Sequence, residues 1–238
     1  MRTIILSALF LCFTGILHAQ TTPVVKVAVL LYPGVELQDF AGPADVFVKA
    51  AGVTRGQYDV YTVSLQPGMI YTESDKVAIK PAYQLTNMPK PDILVIPGAS
   101  MTVIETLRTD SAMYSFIRKY KDSAAVTMSV CTGAYLLGRT GALDQIRSTT
   151  HFFVADDFQE TFPHTTLIKD VRYVDEGHII TTSGVTSGID GALHLVERYS
   201  GEKIAAMVAR GMQYNTHREE AWPVAPAGMK FQRSKKKD

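Results

Sequence analysis

Cys131 lies in Ser129-Val130-Cys131-Thr132-Gly133, where a strand-like run passes straight into a helical one and small residues stand two before and two after the cysteine. A nucleophile on a strand-to-helix elbow needs that spacing, because the tight turn presses its neighbours at ±2 against other backbone. The chemistry on offer is attack by a thiolate, favoured by the N-terminus of the helix that follows. That dipole contributes about 0.3–1 kcal/mol, up to ~2 in good geometry, which lowers a thiol by ~1.5 pKa units at most. The thiol is therefore expected to titrate below an ordinary exposed cysteine. The competing reading is a free cysteine buried as a small, inert hydrophobe.

Two other segments can serve such a nucleophile. Pro97-Gly98-Ala99 closes the apolar run Ile93–Ile96, and its backbone N–H groups, with that of Thr132, can face an oxyanion. By itself it is an ordinary turn. Asp39, in Glu36-Leu37-Gln38-Asp39-Phe40-Ala41-Gly42-Pro43, precedes a helix expected from Gly42-Pro43 to about Ala50. It either caps that helix or acts on the thiol. An ionised carboxylate beside a thiolate repels it, so a working pair has Asp39 protonated when the thiolate forms and then passing its proton to substrate.

Other chemistries lack their patterns. His151, His164, His178, His194 and His217 form no H-x-H or H-E-x-x-H, so no metal site is expected, and no cofactor. Gly184, Gly188 and Gly191 are not completed into a phosphate loop by a Lys-Ser/Thr, and read better as a turn leading into a helix. A late H-x-E, as a glutamine-amidotransferase triad would want, is missing; His194 and Glu197 fall within one apparent helix.

These residues must be positioned by a sheet. Val25–Leu31, Tyr58–Leu65, Ile93–Ile96, Ala125–Val130, Val171–Tyr173 and Ile179–Thr182 read as short strands rich in Val and Ile. Helices are expected over Ser111–Tyr120, Ala134–Leu143, Ile189–Tyr199 and Glu202–Met212. That alternation predicts an α/β fold, a three-layer sandwich with a mainly parallel sheet and helices on both faces, in which ligands bind beyond the carboxyl ends of the strands. One domain, 20–222, is expected, followed by a basic, irregular and solvated tail over 223–238.

The chain has 238 residues, 46% apolar and 20% charged, as an ordinary globular protein has. Setting Arg2 and five tail bases aside from 24 Lys and Arg, and Asp238 from 23 Asp and Glu, leaves an acidic body of 18 against 22. Such a body is a poor match for phosphate backbones, so no nucleic acid partner is expected. Residues 1–19 carry Arg2, then a 13-residue, mostly apolar stretch from Ile4 to Ile16, then Ala19. This is the pattern of a secretory signal peptide, and it is too short for the ~20 residues of a membrane span. The mature protein is expected to begin near Gln20, in the periplasm or outside the cell. Cys12 leaves with the leader, and Cys131 then has no partner for an internal disulfide.

In these motifs the chain resembles the DJ-1/PfpI family, and within it the isonitrile hydratase-like branch whose domain also occurs in AraC-type regulators. The resemblance covers Val25 to Tyr214 and rests on D-F-A-G-P (Asp39 to Pro43), V-I-P-G (Val95 to Gly98), S-V-C-T-G-A (Ser129 to Ala134), the S-T-T-H stretch ending in His151, and T-S-G-V-T-S-G-I-D (Thr182 to Asp190). It implies a flavodoxin-like fold and a homodimer, Cys131 as nucleophile, Asp39 as its acid, Thr132 as helper through its hydroxyl or N–H, and Gly98 and Ala99 holding the oxyanion. The family usually has a second Gly where this chain has Ala99, and many relatives carry His where it has Thr132. His151 matches the family's T-T-H and either approaches the thiol or is structural. The function implied is a cofactor-independent cysteine hydratase or hydrolase acting on a small electrophile, an isonitrile first. The alternative is a non-enzymatic ligand-binding or redox-sensing protein.

Overall fold

The computed structural model describes residues 23–216 together with Met229 and Phe231. The expected leader, Trp222 and most of the expected tail lie outside the described residues. Among these residues no helix is long and apolar enough to cross a membrane.

Strand β1, Val25–Leu31, is buried along nearly its whole length, as a run of Val and Leu must be when both faces of a sheet are covered. It pairs in parallel with β2, Tyr58–Ser64, on one side. A short antiparallel pair, β3 (Ile70–Tyr71) and β4 (Ala78–Ile79), leads into the edge strand β5, Tyr83–Gln84. On its other side β1 pairs in parallel with β6, Ile93–Ile96, which pairs with β7, Val126–Val130. After a second small pair, β8 (Arg147–Ser148) and β9 (Thr166–Leu167), come β10 (Tyr173–Asp175) and β11 (Ile179–Thr182). The main sheet runs β10-β11-β7-β6-β1-β2-β5, parallel except for β10, which lies antiparallel on β11.

Helix α1, Leu37–Val53, packs with α6, Ser187–Ser200, and α7, Glu202–Gly211, as one layer. On the opposite face α3, Ser111–Lys121, and α4, Gly133–Gly138, pack on each other and on β7. Two shorter helices, α2 (Met101–Thr106) and α5 (Ala155–Thr161), complete the set. The three-layer, mainly parallel α/β fold is the architecture the alternating pattern predicts.

Several boundaries differ from the sequence expectation. Helix α1 begins at Leu37, so Pro43 lies inside it and Asp39 in its first turn. Helix α4 stops at Gly138, and the chain continues to Leu143 through turns. Strand β10 is displaced two residues toward the C-terminus because Tyr173, Val174 and Asp175 pair with Thr182, Thr181 and Ile180. Phe231, within the stretch expected to be solvated, is partly buried; its N–H donates to the Phe153 carbonyl at 2.8 Å and the two rings lie 6.3 Å apart.

Candidate active site

Four neighbouring parallel strands deliver the site. The segments after β1, β6, β7 and β11 carry Asp39 in the first turn of α1, Gly98 with Ala99, Cys131 with Thr132, and Val185, and all meet beyond the carboxyl ends of the strands.

Cys131 has φ 57°, the left-handed region that a side chain other than glycine enters at a cost of about 1–3 kcal/mol. The surroundings hold it there. Its N–H donates to the Thr182 carbonyl at 3.0 Å, and its carbonyl accepts from the Thr150 hydroxyl at 3.0 Å. The small residue two positions on is a steric necessity, since a Cβ on Gly133 would lie 2.2 Å from the Ile96 carbonyl oxygen. We therefore expect Gly133→Ala to destabilise the fold by about 3 kcal/mol, near the top of the usual overpacking range. Urea denaturation measures this; a loss below ~1 kcal/mol would mean that the elbow yields.

Asp39 is fully buried, and its carboxylate does not cap its own helix. One oxygen accepts from the Gly98 N–H at 3.1 Å and the other from the Val185 N–H at 2.8 Å. Glycine at 98 permits this approach, because a Cβ there would lie 2.8 Å from the Asp39 oxygen and 2.5 Å from the Thr132 hydroxyl. Burial pushes the Asp39 carboxyl up to about 6, while the bonds from Val185, Gly98 and Cys131 oppose that rise. The capping reading of Asp39 is thus replaced by one in which two distant segments hold a buried acid.

The Cys131 thiol lies close enough to Asp39 for the two groups to shift each other's titration. Burial first, and then the Asp39 charge, push it well above the ordinary thiol range, against a lowering contribution from the Thr132 N–H. The expectation of a depressed thiol is corrected on this point: burial and a neighbouring carboxylate outweigh one helix terminus. Alkylation of Cys131 by iodoacetamide should still be rising past pH ~8.5, where an ordinary exposed cysteine is half-ionised. A plateau reached below pH 8 would contradict this.

Thr132 uses its hydroxyl on Ala99, donating to the carbonyl at 2.6 Å and accepting from the N–H at 2.9 Å. Gly98 and Ala99 therefore spend their N–H groups on Asp39 and Thr132, and an oxyanion bound there would have to displace one of these bonds. The Thr132 N–H lies beside sulfur instead. His151 accepts from the Phe153 N–H through Nδ1 at 3.4 Å, which caps a single 3-10 turn at Phe152–Val154. Burial pushes its pKa down. The ring lines the same cavity as Cys131, while its side-chain hydrogen bond is the structural one from Phe153.

That cavity has a volume of about 380 Å³. Sequence reasoning missed several of its walls, among them Glu36, Glu73, Phe153 and Phe231. Glu36 lies within the Asp39 segment but matches no motif, and Glu73 comes from a turn after the two-residue strand β3. The Glu36 carboxyl is pushed up to about 7, first by its hydrogen bond with Glu73 and then by burial and Asp39.

A family model for the DJ-1/PfpI family matches residues 25–198. The chain belongs to the DJ-1/PfpI family. This DJ-1/PfpI chain is 31% identical over 191 residues to the isonitrile hydratase of Pseudomonas putida, a match covering 79% of the chain and 78% of that enzyme. It is 26% identical over 181 residues to the HTH-type transcriptional regulator CdhR of Pseudomonas aeruginosa, covering 76% of the chain and 52% of the regulator. Among solved structures it resembles a THiJ/PfpI family protein from Pseudomonas syringae, with TM-score 0.72, 22% identity, and coverage of 87% of the chain and 79% of that protein. It also resembles Drosophila melanogaster DJ-1beta, with TM-score 0.69, 22% identity, and coverage of 81% and 99%. At these identities the structural likeness speaks for the fold. Members of the DJ-1/PfpI family thus include a hydratase and a regulator, and the site residues must separate these possibilities.

Proposed function

We propose that the chain is an exported, cofactor-independent cysteine hydratase of small electrophiles, with isonitriles converted to N-substituted formamides. The observation that carries this reading is the buried acid Asp39 beside Cys131, a cysteine that lines a cavity. Similarity to the Pseudomonas putida isonitrile hydratase supports the choice of substrate.

The pair holds one mobile proton. As sulfur attacks the terminal isonitrile carbon, the thiol proton passes to Asp39, and Asp39 delivers it to that carbon, giving a thioimidate in which S–H has added across the carbon. A carboxyl near 6 suits both directions of transfer at neutral pH. Water then adds to the thioimidate carbon and the Cys131 thiol is expelled with its proton restored. The sum is isonitrile plus water to formamide. The Thr132 N–H stabilises the negative charge on sulfur, and Gly98 and Val185 hold the acid in place.

Export rests on the leader pattern, and a mature chain beginning near Gln20 is its signature. The test of the reaction is a panel of isonitriles, α-oxoaldehydes and amides offered to the wild-type protein, with formamide appearing from the isonitriles. The high thiol pKa favours one competing reading, a binding or redox-sensing protein with a resting cysteine. Ligands that shift the melting temperature without being turned over would put that reading in place of the hydratase.

A further inference from the structure

Glu36 and Glu73 are brought together at the cavity by backbone that leaves them little freedom to part. The Glu36 N–H donates to the Gly98 carbonyl at 2.9 Å, the Glu73 N–H to the Val35 carbonyl at 3.1 Å, and the Gly34 N–H to the Tyr71 carbonyl at 2.8 Å. These bonds stitch the loop after β1 to the turn after β3. The two residues following Glu73, Ser74 and Asp75, have φ 59° and 54°, a second strained turn at the same place. Two carboxyl groups held in contact repel unless they share a proton, and even then one negative charge remains. Such a pair adds nothing to the packing of the core, since Glu36 is only partly buried and Glu73 is exposed.

The rest of the cavity wall points the same way. Among the described residues that line it there is no Lys or Arg, and burial disfavours the charged form of its histidine. Two phenyl rings, Phe153 and Phe231, line it as well. Carboxylate together with aromatic surface is the combination that attracts an organic cation, the first by charge and the second by the ring quadrupole. An anionic molecule meets only repulsion there.

We infer that Glu36 and Glu73 select the substrate at Cys131, and that this substrate carries a positively charged group, an ammonium, quaternary ammonium or guanidinium, on the same small molecule as its electrophilic carbon. The inference rests on the reading of the cavity as the place where a molecule meets the thiol, and it names the class of that molecule. It requires no particular reaction.

Charge-matched thiol reagents test it without turnover. The 2-aminoethyl and 2-sulfonatoethyl methanethiosulfonates deliver groups of opposite charge to the same sulfur, each forming a mixed disulfide and releasing methanesulfinate. The rate ratio, cation over anion, is measured on folded protein and divided by the same ratio in denaturant, which cancels the reagents' intrinsic reactivity. We expect a ~10-fold preference for the cation, the size that a unit charge at close range gives in a partly solvated site. In the double variant Glu36→Gln, Glu73→Gln the ratio should fall to within about twofold of the denatured value, because a change in thiol pKa alters both rates alike. Each single variant, with folding checked by circular dichroism, should fall between the two. No preference in the wild type, or a preference that survives the double substitution, would overturn the inference. Loss of the hydratase reading alone would not, because a charge preference can persist in a protein that turns over no isonitrile.

Discussion

Cys131→Ser should keep its fold and lose turnover of isonitriles by ~10⁴-fold or more, the scale seen when a covalent nucleophile is removed. Proton affinity sets this loss. Asp39 titrates near 6, so it can accept a thiol proton as the new bond forms, whereas a serine hydroxyl is far too weak an acid to yield its proton to such a base. Ser has nearly the size of Cys, and the backbone at 131 is fixed by Thr182 and Thr150 rather than by the side chain, so the elbow should survive. Circular dichroism and urea midpoints should therefore match the wild type while formamide production vanishes. Retained turnover in a folded Cys131→Ser protein would remove sulfur from the mechanism.

Asp39→Asn should lower turnover by ~10²–10⁴, the usual contribution of a positioned acid-base group. Removing the negative charge beside sulfur should also make the thiol easier to ionise, so alkylation by a neutral reagent should begin at lower pH than in the wild type. Faster alkylation with lost turnover would be hard to explain by misfolding. The amide keeps one acceptor for the two N–H groups of Gly98 and Val185, and leaving the other unsatisfied costs about 1–3 kcal/mol.

The same substitution has a pH signature in stability. The Asp39 carboxyl is raised by folding from 3.8 to about 6, so the stability tied to its protonated form is fully present below pH ~4 and is lost as pH rises through 6. At 1.36 kcal/mol per unit, and with the unfolded carboxyl already more than half ionised at pH 4, the wild type should lose about 2 kcal/mol relative to the Asn variant between pH 4 and pH 7. Paired urea titrations at the two pH values measure it. A difference that does not change with pH would mean that the carboxyl is not destabilised by burial.

Much of this site was legible in the sequence because strand ends carry local signals. The apolar runs Val25–Leu31 and Ile93–Ile96 have the bounds of β1 and β6, and Cys131 stands at the end of β7 with a glycine where only a glycine fits. Asp39 was visible as a residue but ambiguous in role, since its two hydrogen-bond donors lie 59 and 146 positions away and neither can be read from its neighbours. A helix expected to start at Gly42-Pro43 begins at Leu37, so a proline that looked like a first helical residue lies within the helix. The thiol's high pKa is a property of burial, and the elbow pattern contains the dipole but not the depth. Glu73 and Phe231 were out of reach for a similar reason: each arrives at the cavity through tertiary pairing, from a turn after a two-residue strand and from the far end of the chain.

The central claim is that Cys131 bonds to the substrate carbon while sharing its proton with Asp39. Rapid acid quench of the wild-type protein with an excess of an isonitrile, followed by mass analysis of the peptide containing Cys131, tests it most directly. The account predicts a transient increase equal to the whole mass of the isonitrile on Cys131, decaying as formamide appears. Formamide formed with Cys131 unmodified at every quench time, and at the same rate after alkylation of that cysteine, would contradict it.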